Sequence, residues 1–412
     1  MSQLTRRRFL QTSLAAAPLV ALAPTVPSFL VNAARAGNNK PSGRILVVVE
    51  LAGGNDGVNT VVPFADEGYA RARNKLRLPR EGLIRLNDEV GLHPSLKPLA
   101  ATWEAGRLAV VQGVSYPNPS RSHFVSRAVW HTARPDGQGC QGVGWLGRAL
   151  DQGDRRVGQA VYVGDGPVSV AVCGQQRSCI SIDRPEDCRL VGDLPLRGPA
   201  ALVPASEPVG DGLLAFTRRA ALDAYATADQ LGKSQSGRPA SVYPANALGR
   251  RLQTVASAIK AGLQASTYYM VQGGESDDGV GDYDTHVGQL SRHAGLLAVL
   301  ASAWRSFLDD LAAAGLADRV VLLAYSEFGR RVEENASGGT DHGTAGPVFL
   351  AGGAVRGGLV GATPKLLDLE EGDLKAAIDF RQVYATVLED WLALPAKEAL
   401  GGAFEKLSLF RA

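Results

Sequence analysis

Arg44-Ile45-Leu46-Val47-Val48-Val49-Glu50-Leu51-Ala52-Gly53-Gly54-Asn55-Asp56-Gly57 is a nearly unbroken apolar run that stops at a glycine-rich turn carrying a carboxylate. A strand apolar on both faces belongs to a parallel sheet covered on both sides. The pattern recurs outward along the chain, with strands at Leu108–Val114, Thr267–Gln272, Arg319–Tyr325 and Val348–Ala351. Between them, apolar residues at helical spacing predict helices over Pro94–Ala105, Ser122–Thr132, Gly212–Leu231, Ala245–Ala261 and Gln289–Ala314, with a last helix over Asp379–Leu394. Alternating strands and helices predict an α/β fold, a three-layer αβα sandwich around a mostly parallel central sheet. The segment from about 137 to 208, rich in Gly, Pro and Cys, reads as an irregular insertion or cap with short β-like runs at Gln159–Val163 and Val168–Val172.

The chain has 412 residues, 45% of them hydrophobic, enough for a large core. Its 43 basic and 41 acidic residues leave a net charge of +2 and no basic stripe, so nothing points to nucleic acid. Thr5-Arg6-Arg7-Arg8-Phe9-Leu10 precedes an apolar stretch broken by Pro18, Pro24 and Pro27, then small residues at Ala34 and Ala36. That order is a twin-arginine signal peptide over residues 1–36, implying the twin-arginine export machinery as partner and a periplasmic or otherwise exported mature chain, 37–412, as a single domain. A retained anchor is the alternative; the prolines argue against a stable transmembrane span. In an oxidising compartment Cys140, Cys173, Cys179 and Cys188 could form disulfides, Cys173 with Cys179 and Cys140 with Cys188 being one of three pairings.

Carboxylates and imidazoles gather at the expected strand ends: Asp56, Asp284 with His286, Glu327, and Asp341 with His342. Oxygen and nitrogen donors converging from separate segments suit a divalent ion such as zinc, calcium, magnesium or manganese. Asp284 and His286 are two apart, so in extended chain both face the same side. Asp56 could equally sit in an unliganded Asn-Asp-Gly turn, and Glu327, followed by Arg330 and Arg331, could be a structural ion pair. Ser120-Arg121-Ser122-His123-Phe124 opens a helix whose amides can hold an anion. There Arg121 is the anion-binding candidate, Ser122 the candidate nucleophile with Ser120 as the alternative, and His123 or a metal the candidate activator, a helix cap being the plainer reading of one serine. His93, His131 and His293 receive no role.

Leu46 to Gly57, Ser120-Arg121-Ser122-His123-Phe124, Gly144-Trp145-Leu146-Gly147-Arg148, Asp284-Thr285-His286, Ser326-Glu327-Phe328-Gly329-Arg330 and Thr340-Asp341-His342-Gly343 occur in this order. With them the chain resembles the exported bacterial proteins of domain-of-unknown-function family 1501. The resemblance implies an alkaline phosphatase-like fold, shared with sulfatases, and one or two divalent ions. By position Asp56 resembles that superfamily's first-strand ligand, Asp284 and His286 its Asp and His pair, and His342 its late histidine. Two departures stand out: Phe328 follows Glu327 where an Asp-His dyad is usual, and Pro117 replaces the converted cysteine of a sulfatase Cys-x-Pro-Ser-Arg signature.

Two functions compete at this point. One is an exported metal-dependent hydrolase of phosphate or sulfate esters, its substrate a small molecule or polymer. The other is a non-catalytic periplasmic binding or scaffold protein that retains the fold. No haem, flavin or iron-sulfur motif supports a redox protein.

Overall fold

The computed structural model describes residues 43–135, 142–153, 159–177, 179–182, 240–274 and 281–411. The signal segment, the helix expected over Gly212–Leu231, Cys140 and Cys188 lie outside the described residues.

The quoted run forms β1 (Ile45–Leu51), buried along its whole length. The sheet continues with β2 (Leu108–Ser115), β3 (Gln159–Val163), β4 (Ile180–Ile182), β5 (Ala265–Gln272), β6 (Val320–Tyr325), β7 (Gly346–Gly352), β8 (Gly358–Val360) and β9 (Ile378–Asp379). Their order is β8-β2-β7-β6-β1-β5-β3-β4, with β9 also paired to β2. β1 lies between β5 and β6, parallel to both, Val48 facing Tyr269 on one side and Leu323 on the other. Among the described strands of this sheet only β7 runs against its neighbours, β2 and β6.

Because side chains alternate along a strand, β1 feeds two cores. Ile45, Val47, Val49 and Leu51 face one core, Leu46 and Val48 the other. Five helices frame the sheet: α1 (His123–Thr132), α2 (Trp145–Gln152), α3 (Ala247–Lys260), α4 (Gln289–Ala313) and α5 (Phe380–Thr386). The first core takes α3 and α4, the latter through Leu296, Leu300, Trp304, Phe307 and Leu311, a stripe at helical spacing. The second takes α1, α2 and α5 through Trp130, Trp145 and Tyr384; Trp130 stacks on Tyr325 and Phe380, and Trp145 on Tyr384. The expected three layers are therefore present, each fully buried aliphatic or aromatic side chain contributing on the order of 2 kcal/mol.

Several expectations need correction. The described part of the segment taken as an insertion supplies α2 and the strands β3 and β4, β4 at the sheet's end, and these belong to the main sandwich. Val170–Val172 is a 3-10 turn, not a strand. Pro94–Leu99 is also 3-10, with Pro98 inside it, and only Ala100–Glu104 is α-helical, since proline withholds an amide and clashes with the preceding turn. The final helix changes after Thr386 into a π-turn over Val387–Trp391. Cys173 and Cys179 are free thiols, not a disulfide. Among the described residues no helix is long and apolar enough to cross a membrane.

Candidate metal centre

Four chain segments reach the same end of the sheet. The loop after β5 brings Asp284 and His286, the end of β6 brings Ser326 to Arg330, the following loop brings Asp341 and His342, and the turn after β2 leads into α1 at His123. The glycine turn after β1 permits this approach. Gly53 has φ +113°, and a methyl there would collide with the backbone nitrogen of Asp284.

Asp284 Oδ1 lies 3.0 Å from His286 Nε2 and 3.1 Å from His342 Nε2, and the two imidazole nitrogens are 2.9 Å apart. His123 Nε2 is 3.5 Å from Asp284 Oδ2. His123, Asp284 and His342 each offer a ligand atom within 4.8 Å of the others. Ligand atoms in a tetrahedral zinc shell are roughly 3.3 Å apart, so this spacing fits a bound ion. His123 Nε2 is buried and has no hydrogen-bond partner among the described residues, as a nitrogen reserved for a metal would be.

Each histidine's other nitrogen is held. His123 Nδ1 lies 2.9 Å from Glu327 Oε1, His286 Nδ1 3.1 Å from Asp341 Oδ1, and His342 Nδ1 2.7 Å from the Arg121 carbonyl oxygen. With Nδ1–H donating to these acceptors, His123 and His342 turn an Nε2 lone pair toward Asp284, the arrangement that orients imidazole ligands in metal sites, while His286 Nε2 also faces Arg330 Nη1 at 3.4 Å. Phe328 walls the site, 4.8 Å from the His123 ring and 4.9 Å from that of His342. Phe328, the residue after Glu327, thus packs against two imidazoles.

Electrostatics favour an ionised Asp284. Burial alone would raise its carboxyl, but the hydrogen bond and charge of Arg330, then His342 and His286, draw it down to about 2. The hydrogen bond to Glu327 raises His123, with burial opposing it. Burial lowers His342.

The structure redistributes the expected roles. Asp284, His286 and His342 come together, and His123, expected to activate a nucleophile, joins them as a ligand candidate. Glu327 and Asp341, expected as ligands, instead orient histidines. Glu327 also accepts hydrogen bonds from the Gly53 amide at 2.9 Å and the Ser326 hydroxyl at 3.0 Å. Asp56 is separate, its two oxygens gripped by the Arg73 guanidinium at 2.6 and 3.0 Å, with both side chains fully buried. Burial would raise this carboxyl, yet the charge and hydrogen bond of Arg73 hold it below the usual range. Arg121 is not free for an anion, because it pairs with Asp373 at 2.5 Å and reaches Glu371. Ser122 caps α1 by position but makes no side-chain capping bond, and it is exposed.

Residues 223–398 match the model of the family described as "Protein of unknown function (DUF1501)". This DUF1501 stretch holds Asp284, His286, Glu327, Arg330, Asp341 and His342, while His123 and Asp56 precede it. No curated protein matches the chain in sequence. Similar solved structures include the lipoteichoic acid synthase LtaP from Listeria monocytogenes, at 12% identity over 81% of this chain and 74% of that one, TM-score 0.36. Another is the C-terminal periplasmic domain of EcEptC from Escherichia coli in complex with zinc, at 11% identity over 87% and 84% of the two chains, TM-score 0.39. A third, the PsFucS1 sulfatase from Pseudoalteromonas sp., is 12% identical over 93% and 75%, TM-score 0.38.

One polar network escaped the sequence reading. Glu50, the lone carboxylate in β1, is buried in the second core, where its oxygens meet Arg127 Nε at 2.8 Å, His131 Nε2 at 2.9 Å and the Tyr269 hydroxyl at 2.5 Å. His123, Arg127 and His131 recur every fourth residue, so one face of α1 meets Glu327 at its start and Glu50 beyond. The spacing and the isolated Glu50 were the available signals.

Proposed function

We propose that this chain is an exported metal-dependent hydrolase of phosphate or sulfate esters. The observation that carries the reading is the convergence of three imidazole Nε2 atoms on the Asp284 carboxylate, each ring fixed from behind. His123, His342 and Asp284 would hold the ion, with His286 beside them. Two imidazole nitrogens beside one carboxylate suit zinc better than calcium or magnesium, which prefer oxygen shells. When bound, a divalent ion supplies Lewis acidity toward an ester oxygen and neutralises developing charge.

The chain's own residues favour an anionic substrate. His123 is the first residue of α1, and α4 begins three residues after His286, so two helix N-termini lie close along the chain to the ligands. Arg330 adds a fixed positive charge beside Asp284. Ser122, exposed and without a capping bond, supplies a hydroxyl next to His123.

The test is hydrolysis of aryl phosphate, aryl phosphodiester and aryl sulfate by zinc-loaded protein. Asp284→Ala and His342→Ala should lose both ion and turnover, whereas Ser122→Ala should keep the ion and lose turnover. A second reading, a metal-holding binding protein without turnover, is favoured by the engagement of Arg121 with Asp373. Ion binding without hydrolysis of any of the three esters would select it. Export through the twin-arginine route belongs to the same proposal; Arg6→Lys with Arg7→Lys should leave the protein in the cytoplasmic fraction, and unaltered export would reject it.

A further inference from the structure

Arg330 and Arg73 are the most deeply buried cations near the site, and each is bound to a carboxylate that the sequence offers as a metal ligand. Arg330 has no exposed side-chain surface. Its Nε donates to Gly54 O at 2.8 Å, Nη1 to Thr340 O at 2.9 Å, and Nη2 to Gly53 O at 2.5 Å, to Tyr283 O at 3.1 Å and to Asp284 Oδ1. Four carbonyls from three segments therefore lock the guanidinium against the same oxygen that faces His286 and His342. Arg73 is held similarly, with Nε donating to Val332 O at 2.6 Å and Nη2 to Arg331 O at 2.9 Å while it grips Asp56. Gln289 Nε2 also donates to Asp56 Oδ2.

We infer that the centre takes one ion only, with Arg330 and Arg73 supplying the positive charge that further ions would otherwise bring to Asp284 and Asp56. This rests on the metal-centre reading above. In two-metal sites the ions stand about 3.5–4 Å apart and share bridging or neighbouring carboxylates. Here the remaining carboxylates are committed elsewhere. Asp56 is consumed by Arg73 and Gln289, Glu327 by Gly53, Ser326 and His123, and Asp341 by His286 and Asn335. A second divalent cation beside Asp284 would meet the Arg330 charge, which is anchored and cannot withdraw. The single ion instead meets His123 Nε2, which has no hydrogen-bond partner among the described residues.

The zinc content of the purified full chain decides the count, measured by mass spectrometry of the metal after equilibrium dialysis against zinc chloride. One zinc per chain is expected. Two would overturn this inference while leaving the metal centre intact, and none would overturn the metal-centre reading with it. Calorimetric titration adds a second arm. The double variant Asp56→Asn/Arg73→Met removes both buried charges together and should still bind one zinc with affinity within about threefold of wild type, whereas Asp284→Asn should weaken binding by more than about 100-fold. A folded double variant without zinc would show that Asp56 is a ligand and reject the inference. The wild-type ratio stands whether or not the variant folds.

Discussion

Glu327 reaches the candidate centre through His123. Its carboxylate is buried, joined to the Gly53 amide and the Ser326 hydroxyl, and holds His123 Nδ1 at 2.9 Å. Partners of this kind tune ligands, so Glu327→Gln should weaken zinc binding by about 10–100-fold without abolishing it, measured by competition with a chromogenic chelator. Asp56 answers to a different rule. Asp56→Asn leaves Arg73 buried without its counter-charge and should destabilise the fold by about 3–5 kcal/mol in urea unfolding. Asp56 and Glu327 were both legible as functional carboxylates at strand ends. Their separation into a structural ion pair and an orienting group depends on Arg73 and His123, distances that no local motif contains.

At the scale of elements, α1 is the lever that joins the sheet to the centre. His123 meets Glu327, and Arg127 and His131 meet Glu50 one and two turns along. Burial would raise the Glu50 carboxyl, but the charge and hydrogen bond of His131, with Arg127 and Tyr269, lower it to about 2. A folded-state value below the unfolded one stabilises the protein above the unfolded pKa of about 4.5 and loses that contribution as pH falls from there toward 2. Trp130 on the same helix stacks on Tyr325 at 4.8 Å, so its fluorescence should change across that acid range in wild type and shift toward neutral pH in Arg127→Leu. The helix boundaries were readable from periodicity. Its ion-paired face was also written in the spacing of His123, Arg127 and His131, but the partner Glu50 is remote in sequence, on β1.

For the whole molecule, two buried histidines set the acid limit of stability. His93 and His293 pack edge to face at 5.7 Å beneath the first sheet turn, with His293 Nε2 2.9 Å from Asn55 Oδ1. Burial lowers His93 to about 4 and His293 to about 3. Both are neutral in the fold, so stability is fully present above the unfolded pKa near 6.5 and declines as pH falls through the interval down to those values. Each should cost about 1.4 kcal/mol per pH unit below 6.5 while it stays neutral in the fold. Denaturant melts at pH 7.5 and 5 should show the drop, and His293→Gln should flatten it; an unchanged slope would place the sensitivity elsewhere. His93 and His293 received no role from the sequence because a histidine's burial is a property of the packed layers.

The sequence by itself determined the strand-helix alternation, the parallel and doubly covered character of β1, and most of the residues that meet at the sheet end. These follow from local patterns: apolar runs, helical spacing, and acids and imidazoles placed just after strands. Only the tertiary structure decided that β7 runs antiparallel, that β3 and β4 belong to the main sheet, and which donors converge. It put His123 with Asp284, His286 and His342, turned Glu327 and Asp341 into orienting partners, and closed Asp56 against Arg73. The reason is physical: coordination and ion pairing are set over a few ångströms between segments from 17 to 204 residues apart, and sequence periodicity reports only which face a residue takes within its own element.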